Sequence, residues 1–307
     1  LIYNYLLYDI QKFMKSIYST LCSLGLASEE SVELFFEGAR DNPNIKFYKD
    51  TKSGIIFIKS EIIDDKEYIS GEYREKKAIK EGKNSSSLNY ERHKDCIRRL
   101  NDTKQFYIGK DIVDFGCGHG HFLKNIRNLA RSICGIELQS NLVNELNSNG
   151  IKCLTNLEKV EDNSIDSFFL FHSFEHLPDP LAILKQIKSK LRATGKIVIE
   201  VPHADDFLLS TLNLKSFTSS TLWSQHLILH TKTSIKVFLQ ESGYENILIK
   251  GIQRYPISNH LKWLKDNKPG GHLSNLSIID DEDLNRAYAN ALSKISKSDT
   301  LFVIAEK

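Results

Sequence analysis

The feature that most constrains the fold of this chain is an apolar strand that runs directly into three closely spaced glycines. Residues 112–120 read Ile-Val-Asp-Phe-Gly-Cys-Gly-His-Gly. A second short strand, Ser-Ile-Cys-Gly-Ile-Glu, follows and ends at Glu137. Nucleotide-binding βαβ units have this order of elements: a strand, a glycine turn, a helix, a second strand and an acid. The pattern therefore predicts an α/β fold with a ligand site at the glycine turn.

Two details separate this turn from the version that binds dinucleotides. Gly120 follows Gly118 by two residues, where the dinucleotide pattern has three. Asp114 places a carboxylate beside the loop, which would repel a pyrophosphate but attracts the ammonium and sulfonium groups of S-adenosylmethionine. Glu137 can accept hydrogen bonds from both ribose hydroxyls. These residues predict S-adenosylmethionine as the ligand, and a purely structural turn is the alternative.

Composition narrows the class of protein. The 307 residues are 41% hydrophobic and 26% charged, as in soluble globular proteins, and the net charge of +2 gives no overall attraction to nucleic acids or membranes. The five cysteines include no Cys-x-x-Cys pair, which argues against a zinc site and indicates reduced thiols. The apolar N-terminal run is too short to span a bilayer and lacks a basic region. We therefore expect a cytoplasmic protein without a membrane span.

From Asp111 onward, predicted strands and helices alternate, which is typical of a doubly wound α/β sheet. We predict a seven-stranded Rossmann-like sheet that ends in an antiparallel hairpin. Its strands are expected at residues 111–115, 132–137, 151–154, 165–171, 195–201, 245–252 and 300–306. Its helices are expected near residues 120–130, 140–149, 180–191 and 231–242.

The chain is predicted to have two parts. Residues 1–86 form an N-terminal helical and small β region, which serves the substrate side or dimerisation. Residues 87–307 form the ligand-binding domain, with a helical insertion at 253–298 before the last strand. Helical periodicity covers residues 1–40. The other expected elements are strands at Ile45–Tyr48 and Gly54–Lys59, a linker at residues 84–87, a helix from about Tyr90 to Leu100, and insertion helices near 258–266 and 280–296.

Four segments resemble those of class I S-adenosylmethionine-dependent methyltransferases, in the branch that modifies small molecules and sugars. They are residues 113–120, Gly-Ile-Glu at 135–137, Phe-His-Ser-Phe-Glu-His-Leu-Pro-Asp-Pro at 171–180 and Gly-Lys-Ile-Val-Ile-Glu-Val-Pro-His at 195–203. Residues 223–227 resemble a segment of sugar C-methyltransferases in which a Glu-His pair supplies active-site groups, although Gln225 stands in place of the acid. Residues 253–272 resemble methyltransferases associated with bacterial surface-polysaccharide synthesis.

Spacing and resemblance together predict the cofactor site. The resemblance implies that Asn156 and Leu157 contact the adenine, and an ordinary turn is the alternative. His172 ends the fourth strand, where ligands gather in open α/β sheets. The expected cofactor-binding residues are Asp114, Gly116, Cys117, Gly118, Gly120, Glu137, Leu138, Asn156, Leu157 and His172. No metal is expected.

Methyl transfer to an alcohol needs a group that removes a proton, and histidine suits this at neutral pH. The expected catalytic residues are His226, which the resemblance favours, His176 and Glu175, with His203 as a further base. Structural or substrate-orienting roles are the alternatives for each histidine. Arg254 and Lys268 are candidates for contact with an anionic substrate, and solvated surface positions are the alternative.

The resemblance implies methyl transfer to oxygen, or else to carbon or nitrogen, of a sugar or nucleotide-linked sugar, with S-adenosylhomocysteine as product. The alternatives are a nicotinamide-dependent oxidoreductase, a non-catalytic cofactor-binding subunit and a nucleic-acid methyltransferase. The near-neutral charge and the missing Asn/Asp-Pro-Pro-aromatic motif disfavour the last. We expect a small-molecule substrate, no nucleic-acid partner and a homodimer as one possible assembly.

Overall fold

The computed structural model describes residues 16–59 and 85–307. Of the helix predicted over residues 1–40, the first fifteen residues lie outside this part of the chain, and so does Asn84 of the predicted linker. The described strands are β1 Val32–Glu37, β2 Lys46–Asp50, β3 Ile56–Ile58, β4 Asp111–Phe115, β5 Ser132–Ile136, β6 Cys153–Leu154, β7 Ile165–Phe171, β8 Leu191–Pro202, β9 Ile228–Leu229, β10 Glu245–Ile252 and β11 Thr300–Glu306.

The described α-helices alternate with these strands in the second part of the chain. They are α1 Ile17–Ser23, α2 Ser85–Asp102, α3 Lys104–Tyr107, α4 His121–Ile126, α5 Ser140–Ser148, α6 Pro180–Lys190, α7 Lys215–Thr221, α8 Lys232–Glu241, α9 Ile257–Asp266 and α10 Glu282–Lys294. No helix in the described ranges combines the length and the apolar character that crossing a membrane requires.

The larger sheet has seven strands in the order β10-β11-β8-β7-β4-β5-β6. The last strand, β11, runs antiparallel to both neighbours, and the pairs from β8 through β6 are parallel. Helices α9 and α10 lie in the connection between β10 and β11. The predicted doubly wound sheet, its terminal hairpin and the helical insertion before the last strand are confirmed.

Alternate residues of the central strands feed two separate hydrophobic cores. Val113 and Phe168 belong to the core that includes Phe238 of α8. Their neighbours Ile112 and Phe169 belong to the other core, with helices α4 and α5. Because successive side chains of a strand point to opposite faces, helices cover both faces of the sheet. Burying each such aromatic or aliphatic side chain contributes about 1.5–3 kcal/mol.

The smaller sheet shows that one prediction was wrong. It has the order β1-β2-β3-β9, and β1 pairs antiparallel with β2, with Val32 opposite Asp50. The helical periodicity predicted through residue 40 therefore ends with α1, and residues 32–37 form a strand. Their sequence, Val-Glu-Leu-Phe-Phe-Glu, is rich in residues that favour strands, and pairing with β2 decides the outcome.

The predicted linker was also wrong at three of its four positions, because α2 begins at Ser85 and runs to Asp102. Serine is favoured at helix starts, so a serine run before a helical segment does not have to be a flexible linker. The division at residue 86 stays a prediction. The smaller sheet receives its fourth strand, β9, from residues 228–229 of the second part.

The sheet places several sequence-predicted residues at one edge. From β4 the chain proceeds outward through β5 and β6, while β7 and β8 lie on the other side of β4. Ligands bind at such a point of reversal, outside the carboxyl ends of the strands. Asp114, Glu137, His172 and His203 lie in or just after β4, β5, β7 and β8, respectively. A ligand-binding site is therefore expected at this edge of the sheet.

Candidate functional site

The glycine loop joins the end of β4 to the start of α4. All three of its glycines have left-handed backbone, with φ values of 73°, 55° and 65° at Gly116, Gly118 and Gly120. A Cβ added at Gly116 would lie 2.7 Å from the Cβ of Ser173, an atom that cannot move without its backbone. The N–H groups of Gly116 and Cys117 donate to the carbonyl of Ile136, which holds the loop against β5. Glycine is therefore needed for both conformation and space.

Two buried acids flank this loop. Burial raises the pKa of Asp114 to about 7, where Arg99 opposes the rise and the charge of Glu137 adds to it. The carboxylate of Glu137 accepts hydrogen bonds from the N–H groups of Gly118 at 2.9 Å and Gln139 at 3.0 Å. Glu137 thus lies directly against the loop, and its contact with a ribose stays a prediction.

Leu138, Asn156 and Leu157 follow the neighbouring strands β5 and β6, so the structure places them beside Glu137. Leu138 is 52% exposed, Asn156 is exposed, and Leu157 is buried at the start of a short 3-10 helix, Leu157–Lys159. An exposed leucine next to an acid offers apolar cover to a flat ring. The arrangement is compatible with the predicted adenine contact, which stays a prediction.

His172 sits after β7 with a left-handed backbone, φ 53°. Its Nε2 lies 3.1 Å from Nη1 of Arg254, and its Nδ1 lies 3.3 Å from Oε1 of Glu175. A guanidinium only donates, so Nε2 accepts and Nδ1–H donates to Glu175. Burial lowers the pKa of His172 well below its usual value, and Arg254 and Arg99 add to the effect. His172 is therefore neutral and positions Glu175, and its contact with the cofactor stays a prediction.

The structure brings together the three residues predicted to be catalytic. Glu175, His176 and His226 each have a nitrogen or oxygen atom within 4.8 Å of the others. The imidazole rings of His176 and His226 lie 5.1 Å apart, and Nε2 of His176 is 3.9 Å from Oε1 of Glu175. We call this group the Glu-His-His cluster. His226 is about fifty residues from the other two in the sequence. A hydrogen bond from the N–H of Leu227 to the carbonyl of Glu175 holds the two segments together in space.

Backbone carbonyls set the tautomers of both histidines. Nδ1 of His176 is 2.7 Å from the carbonyl of Gln225, and Nδ1 of His226 is 3.0 Å from the carbonyl of Thr221. Because a carbonyl only accepts, each Nδ1 carries the proton and each Nε2 carries the lone pair. Each neutral histidine thus has a proton-accepting nitrogen and an orienting hydrogen bond.

Glu175 completes the cluster as a fully buried carboxyl group. Burial raises its pKa to about 8, although Arg254 and Arg99 oppose the rise. Its Oε2 has no hydrogen-bond partner among the described residues. A buried carboxyl oxygen without a partner is costly, and such atoms concentrate at sites that meet a ligand.

The cluster is also the group of described residues whose donor atoms could hold a metal ion. Two imidazole nitrogens and a carboxylate oxygen form a common ligand set for divalent cations. Carbonyl-bound Nδ1–H groups are the usual outer support of histidine ligands. The expectation that no metal is needed stays a prediction.

A buried ion network behind the cluster was missed from the sequence. Arg254, a candidate substrate contact in the sequence, pairs with Asp95 of α2, with its Nε 3.1 Å from Oδ1, and is not the solvated surface residue that was the alternative. Arg98 and Arg99 of the same helix both bind the fully buried Glu200 of β8, at 2.7 and 2.8 Å. The sequence signal for this network was the spacing of Asp95, Arg98 and Arg99, which places the three charges on one face of a helix. Interspersed charges of this kind usually indicate a solvent-exposed face, so the network was not predicted.

A cavity of about 540 Å³ lies where the smaller sheet meets the loop after β8. Lys49, Lys52 and Lys232 line it, with Asp205 as the acid and several hydroxyl groups. His203 also lines it, and its Nδ1–H donates to the carbonyl of Ser298 at 2.9 Å. Burial lowers the pKa of His203 to about 4, so the ring is neutral at pH 7. The lining is polar and carries more positive than negative charge.

Residues 88–249 match a family described as methyltransferase domain. The chain is 22% identical to the tRNA U34 carboxymethyltransferase of Alteromonas mediterranea over 197 residues, 58% of this chain and 56% of that protein. It is 30% identical to the ubiquinone biosynthesis O-methyltransferase of Xanthomonas euvesicatoria over 134 residues, 38% of this chain and 52% of that protein. The chain spans about half the length of these curated relatives.

Solved structures agree on the fold. A SAM-dependent methyltransferase from Archaeoglobus fulgidus superposes with a TM-score of 0.51 at 19% identity, covering 73% of this chain and all of that one. A methyltransferase from Haloferax volcanii, solved with the Trm112 methyltransferase activator, gives a TM-score of 0.51 at 14% identity, covering 80% and 98%.

The matched region contains β4 to β9, the glycine loop, both flanking acids and the Glu-His-His cluster. Sheet order, loop and family match point the same way. This chain belongs to the class I S-adenosylmethionine-dependent methyltransferases.

Proposed function

We propose that this protein transfers the methyl group of S-adenosylmethionine to a hydroxyl oxygen of a sugar or nucleotide-linked sugar, with His226 as the proton acceptor. The observation that carries the proposal is the convergence of Glu175, His176 and His226 within 4.8 Å at the carboxyl edge of the sheet. When bound, the cofactor supplies an electrophilic methyl group on a positively charged sulfur. The residues of this chain then have to bind, orient and deprotonate the acceptor.

The cluster supports removal of the acceptor proton at Nε2 of a histidine. Nδ1–H of His226 is fixed on the carbonyl of Thr221, so the ring is oriented before the acceptor binds. Gln225 takes no part through a carboxylate, and its carbonyl instead orients His176. Glu175, when ionised, stabilises the imidazolium formed at its neighbour.

The proposed acceptor class rests on the lysine-lined cavity and on the resemblance of residues 223–227 and 253–272 to sugar-modifying methyltransferases. Lys232, at the start of α8, lines the cavity six residues after His226. Three lysines and several hydroxyl groups suit the phosphates of a nucleotide-linked sugar. The ubiquinone biosynthesis relatives are O-methyltransferases, which supports oxygen as the atom methylated. The tRNA U34 relatives make tRNA the competing acceptor, although a net charge of +2 gives it little general support.

The experiment is mass spectrometry of reactions with isotopically labelled cofactor. Nucleotide sugars, free sugars, phenolic small molecules and total tRNA are offered separately to the protein. Label on a nucleotide sugar supports the proposal, and label only on tRNA or phenols contradicts the acceptor class. Calorimetry with S-adenosylhomocysteine tests the cofactor half independently, and NADH serves as the ligand that must not bind.

His226→Gln should lower kcat by about 10²–10⁴-fold while the affinity for S-adenosylhomocysteine stays unchanged, because the side chain removes a proton and does not hold the cofactor. His176→Gln is measured beside it to decide which ring accepts the proton. His93→Gln, at an exposed position of α2, is the matched control and should keep full activity. Equal activity of His226→Gln and the unmodified protein would rule out the assigned base.

The same three donor atoms favour a second way to deprotonate the acceptor, through a bound divalent cation. Exhaustive dialysis against a chelator separates the two. Lost turnover that Mg²⁺ or Mn²⁺ restores, with cofactor affinity unchanged, assigns the cluster to a cation. Undiminished turnover assigns the proton to histidine.

A further inference from the structure

Two cysteine sulfurs meet beside the glycine loop. Sγ of Cys117, in the loop after β4, lies 3.9 Å from Sγ of Cys153, in β6. These two strands are not neighbours in the sheet, because β5 runs between them. Contact between thiols that are separated by a whole strand needs a local explanation.

Gly135 in β5 provides that explanation. It pairs with Cys153 across the β5–β6 ladder. A Cβ added at Gly135 would lie 2.6 Å from Sγ of Cys117 and 3.2 Å from Sγ of Cys153. The backbone of Gly135 is not left-handed, so conformation does not demand a glycine there. The missing side chain leaves the space in which the two sulfurs meet.

The environment of the pair also distinguishes it from the other described thiols. The hydrogen bond from Cys117 lowers the pKa of the Cys153 thiol, whereas that bond and burial raise the pKa of Cys117. Cys117 is partly exposed, while Cys153 is buried. By contrast, burial raises the pKa of the nearby Cys134 to about 11. One member of the pair is thus reachable from solvent, and the other is the more readily ionised.

We propose that Cys117 and Cys153 are a reversible disulfide site that a hydroperoxide oxidises and that lowers affinity for the cofactor when oxidised. One sulfur attacks the peroxide, the O–O bond breaks, and a sulfenic acid and an alcohol (water from hydrogen peroxide) form. The second sulfur displaces the hydroxyl group, which leaves as water with the thiol proton. In total two thiols and one hydroperoxide give one disulfide, one alcohol and one water.

The effect on the cofactor rests on the proposed function. A disulfide bond is about 2.05 Å long, so the sulfurs have to approach each other by roughly 2 Å. Cys117 lies between two left-handed glycines, and the N–H of Gly118 donates to Glu137 at 2.9 Å. Drawing Cys117 toward β6 displaces this hydrogen bond and the loop that would contact the cofactor. We expect the affinity for S-adenosylhomocysteine to fall by about tenfold or more.

The test treats the whole reduced protein with hydrogen peroxide, alkylates the remaining thiols and maps the peptides without reduction. A linked Cys117–Cys153 peptide that dithiothreitol removes is the expected result. Exposed Cys22 reports the peroxide dose, and buried Cys134 reports nonspecific oxidation. Calorimetry with S-adenosylhomocysteine follows on the reduced, oxidised and re-reduced samples.

Cys153→Ser is the matched variant, because it removes the partner and leaves the glycine loop unchanged. Its affinity should be the same before and after peroxide. Absence of the linked peptide at a dose that oxidises Cys22 would overturn the proposal, and so would a disulfide that leaves the affinity unchanged. Peptide mapping needs no cofactor, so a reduced protein that binds none contradicts the proposed function and not the disulfide.

Discussion

At the residue scale, burial sets the protonation of Asp114 by raising the pKa of its carboxyl group. A carboxyl group with a pKa of about 7 is partly protonated at neutral pH, and an adjacent cation favours its ionised form. Arg99 already opposes the effect of burial without removing it. A positively charged ligand beside Asp114 should therefore bind with release of a proton in this pH range.

The preference for S-adenosylmethionine over S-adenosylhomocysteine should rise by about tenfold from pH 6 to pH 8, because ionised Asp114 attracts the sulfonium that only the former carries. The ratio of the two dissociation constants removes the contribution of the amino-acid tail to the affinity, because both ligands carry this tail. Calorimetry at a series of pH values measures it. Asp114→Asn should make the ratio independent of pH.

Asp206→Asn is the control for this measurement. Burial also raises the pKa of Asp206 to about 7, but this residue precedes the π-helical segment Phe207–Thr211, away from the glycine loop. The pH dependence should survive in this variant. A ratio that is flat in Asp206→Asn, or unchanged in Asp114→Asn, contradicts the role of Asp114.

At the scale of elements, the glycine loop combines a backbone requirement with a space requirement, and two glycines of this chain separate them. Gly116 and Gly109 have nearly the same φ, 73° and 64°. An added Cβ meets Ser173 at 2.7 Å in the first case and nothing within 4 Å in the second. Alanine at either position is strained, but only one position is crowded.

Gly116→Ala should destabilise the fold by about 1–3 kcal/mol more than Gly109→Ala, because overpacking is added to the shared cost of left-handed backbone. Denaturation in urea, followed by circular dichroism, measures both free energies of unfolding. Equal losses for the two variants would mean that Ser173 moves aside and that the loop is less constrained than its geometry indicates.

Much of the larger sheet was predictable from the sequence. The hydrophobic periodicity, the glycines at the turns and the acids at the ends of the first two strands all indicate the same positions for its strands and helices. The two-residue strand β9 was not, since Ile228–Leu229 becomes a strand only by pairing with β3. The convergence of Glu175, His176 and His226 depended on resemblance, because no local pattern brings residue 226 to residue 175. The Arg254–Asp95 pair was not predicted either, because the two residues are far apart in the sequence and the presence of charged residues does not show which of them are buried.

At the scale of the whole molecule, one hydrophobic core joins the two sheets. Phe47, Ile56 and Phe57 of the smaller sheet belong to the same cluster of buried residues as Val201 and Leu301 of the larger sheet. Phe57 is fully buried and stacks on Tyr18 at 5.8 Å. Elements that share a core are expected to unfold together.

Phe57→Ala should lower the free energy of unfolding by about 3–5 kcal/mol, because it leaves a cavity in the shared core. The whole protein should still unfold in a single transition, with a lower midpoint. Circular dichroism and tryptophan fluorescence should give coincident curves. Leu34→Ala, at a half-exposed position of the same sheet, should change the free energy of unfolding by less than about 0.5 kcal/mol. A separate early transition would instead support the predicted domain division at residue 86.

The partly buried Arg254–Asp95 pair has a consequence for the redesign of this protein. Arg254 belongs to the insertion, whereas Asp95 belongs to α2, far away in the chain. Grafting a foreign segment in place of residues 253–298 would remove the guanidinium of Arg254 and leave the carboxylate of Asp95 with the longer Arg98 ion pair, at 3.4 Å, which should lower the stability of the fold. A chimera that exchanges this segment should therefore carry a matching substitution at Asp95, so that the two distant stretches are transplanted as one unit.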